Sequence, residues 1–247
     1  MMMSFILTVC LAATSHAVEL DTRVLLVPED VRLAHPEIVE RVSDMEPVRN
    51  RAGAWYFPGA DLTHPVAQAL IQERVLARQD DESVRVALVY ALDAEHRFDW
   101  SVIESEESSV RAAMIHGYKG LDTQESSAVL SSALRDASPV VRAEAARLVG
   151  YRPEAAELTP VLLAGLADTS AEVRRLSVRS LGWLEAKEAF SGVSKLLDDS
   201  APSVRIAAVR ALGKIDLQRA RALPKMKALE ADTNPGVQRA LRRVVAP

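Results

Sequence analysis

Asp199-Ser-Ala-Pro-Ser-Val204-Arg205-Ile-Ala-Ala-Val209-Arg210-Ala-Leu212-Gly213 decides the fold, because it recurs. Asp168 leads at the same offsets to Val173-Arg174, Val178-Arg179 and Leu181-Gly182. Asp136 leads to Val141-Arg142, Ala146-Arg147 and Val149-Gly150. Weaker copies begin at Val84-Arg85, Val110-Arg111 and Val237-Gln238, so the six valines lie 26, 31, 32, 31 and 33 residues apart. Self-similarity at such a period is the signature of a solenoid, in which each unit buries its apolar face only against its neighbours.

Between the copies lie segments with apolar residues at three-and-four spacing, which predicts a first helix before each Val-Arg helix. They run from Ser126 to Leu134, Pro153 to Leu166, Ala186 to Leu197 and Leu217 to Leu229. Thr63 or His64 takes the N-cap position of an earlier one, before Pro65. Pro160 and Pro224 fall inside their segments, so each kinks its helix or marks a later start. The expected fold is all-α: a right-handed α-solenoid of about six helix pairs over residues 62–247, with an irregular cap over 18–61. Within the cap, Arg23–Val27 reads as extended and Pro36–Met45 as a helix. The rings in Gly53-Ala-Trp55-Tyr56-Phe57-Pro58-Gly59 read as a plug over the first repeat, since a solenoid needs covered ends.

Composition agrees, with only 4% aromatic residues and an excess of good helix formers. The net charge of −4 conceals an asymmetry: residues 1–131 carry 11 basic and 21 acidic side chains, the remainder 19 and 13. The single Cys10 excludes an internal disulfide framework and a Cys-rich zinc site. Residues 1–17 read as a secretory signal, with an apolar centre at Phe5–Ala13 and a small-x-small site at Ser15-His16-Ala17, so the chain is expected to be exported. No other stretch is long and apolar enough to span a membrane.

Counting each second helix from its Val as position 0, at about 100° per residue, positions 0, 1, 4, 5 and 8 share one face. In one copy these are Val204, Arg205, Ala208, Val209 and Leu212, so this face packs. The arginine at position 1 needs a partner there. An aspartate six residues upstream predicts a clasp within each repeat: Asp136 with Arg142, Asp168 with Arg174, Asp199 with Arg205, each aspartate also capping the helix. Position 6 points the other way, and down the array it reads Tyr90, His116, Arg147, Arg179, Arg210, Arg243, with Arg175 and Arg239 beside it at position 2. This column is either a docking surface for an acidic partner or a solvated helix face.

Asp, then Val-Arg six residues on, then Leu-Gly, resembles HEAT repeats of the short bacterial kind found in phycobilin lyases. The resemblance spans Leu62 to Val245 and is fullest at Val141, Val173 and Val204. Gln79 and Ser105 replace the aspartate in the first two copies, and Gln238 replaces the arginine in the last. The resemblance implies second helices lining a concave surface, and binding or scaffolding in place of a reaction. No phosphate loop, nucleophile elbow or H-E-x-x-H motif contradicts that. None of the five histidines is spaced from another as a metal pair on one helix. The expected function is a non-enzymatic protein-interaction module binding a protein partner, with no cofactor, metal or small-molecule substrate. A polyanion or nucleic-acid binding solenoid is the alternative if the chain is cytoplasmic, and an accessory subunit of a lyase-like enzyme is third.

Overall fold

The computed structural model describes residues 27–49, 55–56, 62–92, 98, 100–104, 106–119, 124–152 and 155–245. The signal expected at 1–17 lies outside them, as do most of the extended segment at 23–27 and all of the aromatic stretch except the backbone of Trp55 and Tyr56.

Two short helices, α1 (Glu29–Ala34) and α2 (Pro36–Ser43), precede the repeats. A two-residue ladder follows, β1 (Val48–Arg49) antiparallel to β2 (Trp55–Tyr56), with Val48 opposite Tyr56. Six helix pairs then occupy the described residues. They are α3 (Pro65–Ala77) with α4 (Glu82–Ala91), α5 (Trp100–Ile103) with α6 (Ser108–His116), and α7 (Gln124–Ala133) with α8 (Pro139–Val149). Next come α9 (Thr159–Ala164) with α10 (Ala171–Trp183) and α11 (Phe190–Lys195) with α12 (Pro202–Ile215). In the last pair α13 (Leu217–Arg221) and α14 (Pro224–Ala228) share the place of the first helix before α15 (Pro235–Val245). Each first helix lies on its own second helix, and the second helices stack in chain order. The chain is an all-α solenoid.

Local chemistry explains where the helices begin and end. His64 takes the N-cap of α3, its Nδ1 accepting from the Val66 N–H at 3.2 Å, and Pro65 follows where its missing N–H is harmless. Pro160 and Pro224 mark late starts: α9 begins at Thr159 after a 3₁₀ turn over Ala155–Leu158, and α14 begins at Pro224 itself. First helices tighten into 3₁₀ turns at Gly165–Ala167, Leu196–Asp198 and Leu229–Ala231, immediately before Asp168, Asp199 and Asp232.

The N-terminal helices are fastened to the first repeat. Ile38 and Val42 of α2 join the core that holds Leu70, Ile71 and Val75 of α3. Arg74 donates from Nη1 to the carbonyls of Val42 and Met45, at 2.7 and 3.0 Å, satisfying acceptors at the end of α2. Arg32 of α1 pairs with Glu73 of α3.

The second helices bury the expected face: Val204, Ala208, Val209 and Leu212 are fully enclosed, as are Val173, Ser177, Val178 and Leu181. The glycine at position 9 is explained by the neighbouring helix. A Cβ on Gly182 would lie 2.7 Å from the Ala211 Cβ and 2.8 Å from its Cα, closer than packed atoms approach. Gly150 meets Ser180 and Gly213 meets Val244 in the same way. Position 9 of one repeat therefore touches position 7 of the next, and the glycine at position 9 lets the helices close together.

The arginines at position 1 overturn the expected clasp. Each sends its bidentate edge forward to the next repeat. Arg142 reaches Asp168 (2.7 and 2.9 Å), Arg174 reaches Asp199 (2.7 and 2.9 Å), and Arg205 reaches Asp232 (2.8 and 2.9 Å). Arg111 reaches Asp136 likewise. The upstream aspartate contributes only its backbone: Arg142 donates from Nη1 to the Asp136 carbonyl, Arg174 to that of Asp168, and Arg205 to that of Asp199, each at 2.8 Å. Nor do these aspartates cap the helix. Their Oδ1 accepts from the N–H two residues on, at Ser138, Ser170 and Ala201, an Asx turn that fixes the carboxylate for the arginine behind it. The series also extends where the aspartate is missing. Arg85, only 2% exposed, bonds the Val75 carbonyl at 3.0 Å and pairs with Glu106 and Glu107. At the far end the Gln238 amide keeps only the carbonyl half of the contact, donating to Asp232 at 2.8 Å.

The guanidinium bonds hold the Asp168, Asp199 and Asp232 carboxyls below the usual range, against a smaller opposing effect of burial. A depressed carboxyl stabilises the fold above its unfolded value, about 3.9, and that contribution is lost as pH falls through the folded value. Acid denaturation of the parent is therefore expected to begin below about pH 4, and Asp168→Asn should flatten that limb. A double-mutant cycle should show coupling of about 1–3 kcal/mol between Asp168 and Arg142, and much less between Asp168 and Arg174. The reverse order would restore the clasp within the repeat. Gly182→Ala should destabilise by about 1–3 kcal/mol, read from denaturant midpoints, because backbone and not a flexible side chain faces the new methyl.

Candidate functional site: the outward face of the second helices

Packing on both flanks leaves the second helices open around positions 2, 6 and 10. Position 10 lies about 40° from position 6, so residues there stand beside the column. Tyr151 and Trp183 occupy it in consecutive repeats. They are 41% and 38% exposed, and Tyr90 is 51% exposed, large values for rings in a chain with so few.

These side chains form a continuous strip across four repeats. The Tyr90 and His116 rings meet edge-on with centroids 5.2 Å apart. His116 Nδ1 lies 2.9 Å from Glu144 Oε1 and 3.0 Å from Arg147 Nη2, donating to the carboxylate in one tautomer and accepting from the guanidinium in the other. Glu144 and Arg147, one turn apart on α8, form a bidentate pair with Arg147 Nε at 2.7 Å from Oε2. Arg147 and Lys119 both lie over the Tyr151 ring, at 5.6 and 5.3 Å from its centroid. Tyr151 contacts Trp183 at 5.3 Å, and the Arg179 guanidinium stands 4.7 Å over the Trp183 ring. Gly150 makes room for this last junction, since a Cβ there would meet Trp183 Cε3 at 3.0 Å.

The electrostatics differ from a uniform basic column. Burial works to raise the Glu144 carboxyl, but hydrogen bonds from Arg147 and His116 outweigh it and leave the group lowered to about 2. The Glu144 bond raises Arg147 in turn, so that charge is already answered. Arg175 pairs with Glu172 in the same way. Arg179 differs: its Nε and Nη2 are buried without a hydrogen-bond partner, and burial together with the nearby Arg175 lowers its pKa. Arg210 and Arg243 continue the register on α12 and α15, both exposed, and make no ion pair among the described residues. The strip thus changes character along its length, with rings and paired charge from α4 to α10, then cations without a bonded carboxylate from α10 to α15. Lys214 and Arg239, also exposed, add to the second part.

The sequence pattern located Tyr90, His116 and the four arginines but missed Glu144, Tyr151 and Trp183. The recurrence of an aromatic residue directly after the position-9 glycine, Tyr151 after Gly150 and Trp183 after Gly182, was the available signal. Among the described residues no group of His, Cys, Asp and Glu side chains gathers as metal ligands.

The fold and this face define a helical-repeat solenoid. Residues 159–246 match the family model of HEAT repeats, so this part of the array is similar to that family. No curated protein matches the chain. Among solved structures, a computationally designed armadillo repeat protein for modular peptide recognition is similar at 20% identity, over 88% of this chain and 92% of that one, with a TM-score of 0.45. A designed armadillo repeat protein in complex with the peptide (KR)4 is similar at 19% identity over the same shares, with a TM-score of 0.44. Neither likeness bears on what this chain binds.

The lowered Glu144 carboxyl is expected to titrate near pH 2 by carbon-13 NMR. Arg147→Gln should move that midpoint up toward the ordinary value of about 4.3. A parent midpoint at the ordinary value would show that Arg147 is free.

Proposed function

We propose that the chain is a non-enzymatic protein-interaction module that holds a partner along the outward face of its second helices. The observation that carries this reading is the contiguous strip of exposed Tyr90, Tyr151 and Trp183 with arginines stacked on its rings. Tyr, Trp and Arg are the residues on which binding energy concentrates in protein interfaces. Pairing of Arg147 and Arg175 within the chain favours a protein over a polyanion, which would need those charges free.

Magnitudes assign the parts. Exposed ion pairs contribute about 0.2–1 kcal/mol each, so Arg179, Arg210 and Arg243 together supply at most about 3. Micromolar binding needs about 8. The rings must hold the partner, and the arginines orient it and speed its arrival.

Tagged protein and its Y151A/W183A variant, used to capture partners from the native host, test this reading. The parent should retain a partner that the variant loses, with affinity reduced about 30-fold or more and circular dichroism unchanged. A control variant, K187Q/K195Q/K225Q/K227Q, alters exposed lysines of the first-helix side and should bind as the parent does. Equal capture by the ring variant would remove the strip from the interface.

A further inference from the structure

The strip has a direction as well as a composition, and this deepens the interaction reading on which it rests. The ring-bearing part ends at Trp183, and the cations without a bonded carboxylate begin at Arg179 in the same repeat. Arg179, Arg210 and Arg243 occupy position 6 of three consecutive second helices. Stacked helices stand about 8–10 Å apart, which sets the spacing of these cations. A polyproline II segment rises about 3.1 Å per residue with three residues per turn, so every third side chain falls on one side, about 9 Å from the last. A β-strand does not fit as well, because residues three apart point to opposite faces.

We infer that the strip recognises an extended, polyproline II-type peptide carrying an acidic residue at every third position, opposite Arg179, Arg210 and Arg243, with an apolar side chain one further period along, against Tyr151 and Trp183. Charge complementarity selects acids at one end, since among the described residues no carboxylate forms an ion pair with these three arginines, and Glu172, the carboxylate whose charge reaches Arg179, is bonded to Arg175. Exposed ring surface selects the apolar residue at the other end, where Glu144 already neutralises Arg147. Three acids in a row would crowd one rung and leave two unmet.

Fluorescence anisotropy with labelled synthetic peptides tests the inference on the full chain. The periodic probe is Leu-Pro-Pro-Glu-Pro-Pro-Glu-Pro-Pro-Glu. The clustered probe has the same composition, as Leu, six Pro and three consecutive Glu. The periodic probe should bind at least about 10-fold more tightly at low salt, and the advantage should shrink as salt rises. R179Q/R210Q/R243Q should abolish the difference, and W183A should weaken the periodic probe while leaving its salt dependence intact. K187Q/K195Q/K225Q/K227Q should change neither. Equal binding of the two probes, or no binding of either, overturns the inference. If sedimentation shows a dimer that R179Q/R210Q/R243Q dissociates, and no peptide binds, a second copy's acidic half is the occupant and the inference also falls. Loss of the native partner by Y151A/W183A, with both probes silent, would leave the interaction reading standing and this one refuted.

Discussion

An arginine that reaches forward into the next repeat, onto a carboxylate already fixed by its own turn, is the contact on which the array depends. Each aspartate serves two ends at once. One oxygen closes the Asx turn after the 3₁₀ end of a first helix, and both oxygens receive the guanidinium from behind. The arginine is equally divided, with its remaining nitrogen on the carbonyl of its own repeat's aspartate. Turn conformation and repeat stacking are therefore not separate contributions. Removing one partner would leave a mostly buried charge unanswered and loosen a turn in the same step.

The close approach of second helices works with these bonds. Glycine at position 9 against position 7 of the next repeat brings the helices near enough for the arginine to span the junction. With positions 0, 1, 4, 5 and 8 against the first helices and positions 7 and 9 against the neighbours, only a narrow arc remains free of packing duty. That arc is where the repeats stop resembling one another. Tyr90, His116, Arg147, Arg179, Arg210 and Arg243 hold one register position, yet their chemistry runs from ring to paired cation to cation without a bonded carboxylate.

The architecture was legible because Asp, Val-Arg and Leu-Gly return at fixed offsets, and because each marks a physical requirement: a turn, a junction, a close approach. The direction of the ion pair was not legible. Arg142 lies 6 residues after Asp136 and 26 before Asp168, and 32 is the local period. In a repeating chain those offsets have the same phase, so no periodicity argument separates the aspartate behind from the one ahead; only the stacking geometry does. The site was half legible. Helical phase placed the arginines on an open face, but phase says nothing of whether a charge is already paired, and Glu144 at position 3 has no counterpart carboxylate at that position in the copies beginning at Val173 and Val204. Tyr151 and Trp183 fall after the last residue of the recurring motif, so its periodicity carries no information about them.

The forward reach of the arginines gives the array an unusual tolerance to growth. A unit running from one aspartate to the residue before the next accepts one guanidinium and offers one. Duplicating such a unit in frame adds equal numbers of both, so every new junction finds its charges matched without any other change in sequence. Lengthening by gene duplication then meets no electrostatic barrier, and each added unit brings one fresh outward position that can diverge without disturbing the stack. An array built this way can acquire a longer binding strip before selection has refined a single residue of it.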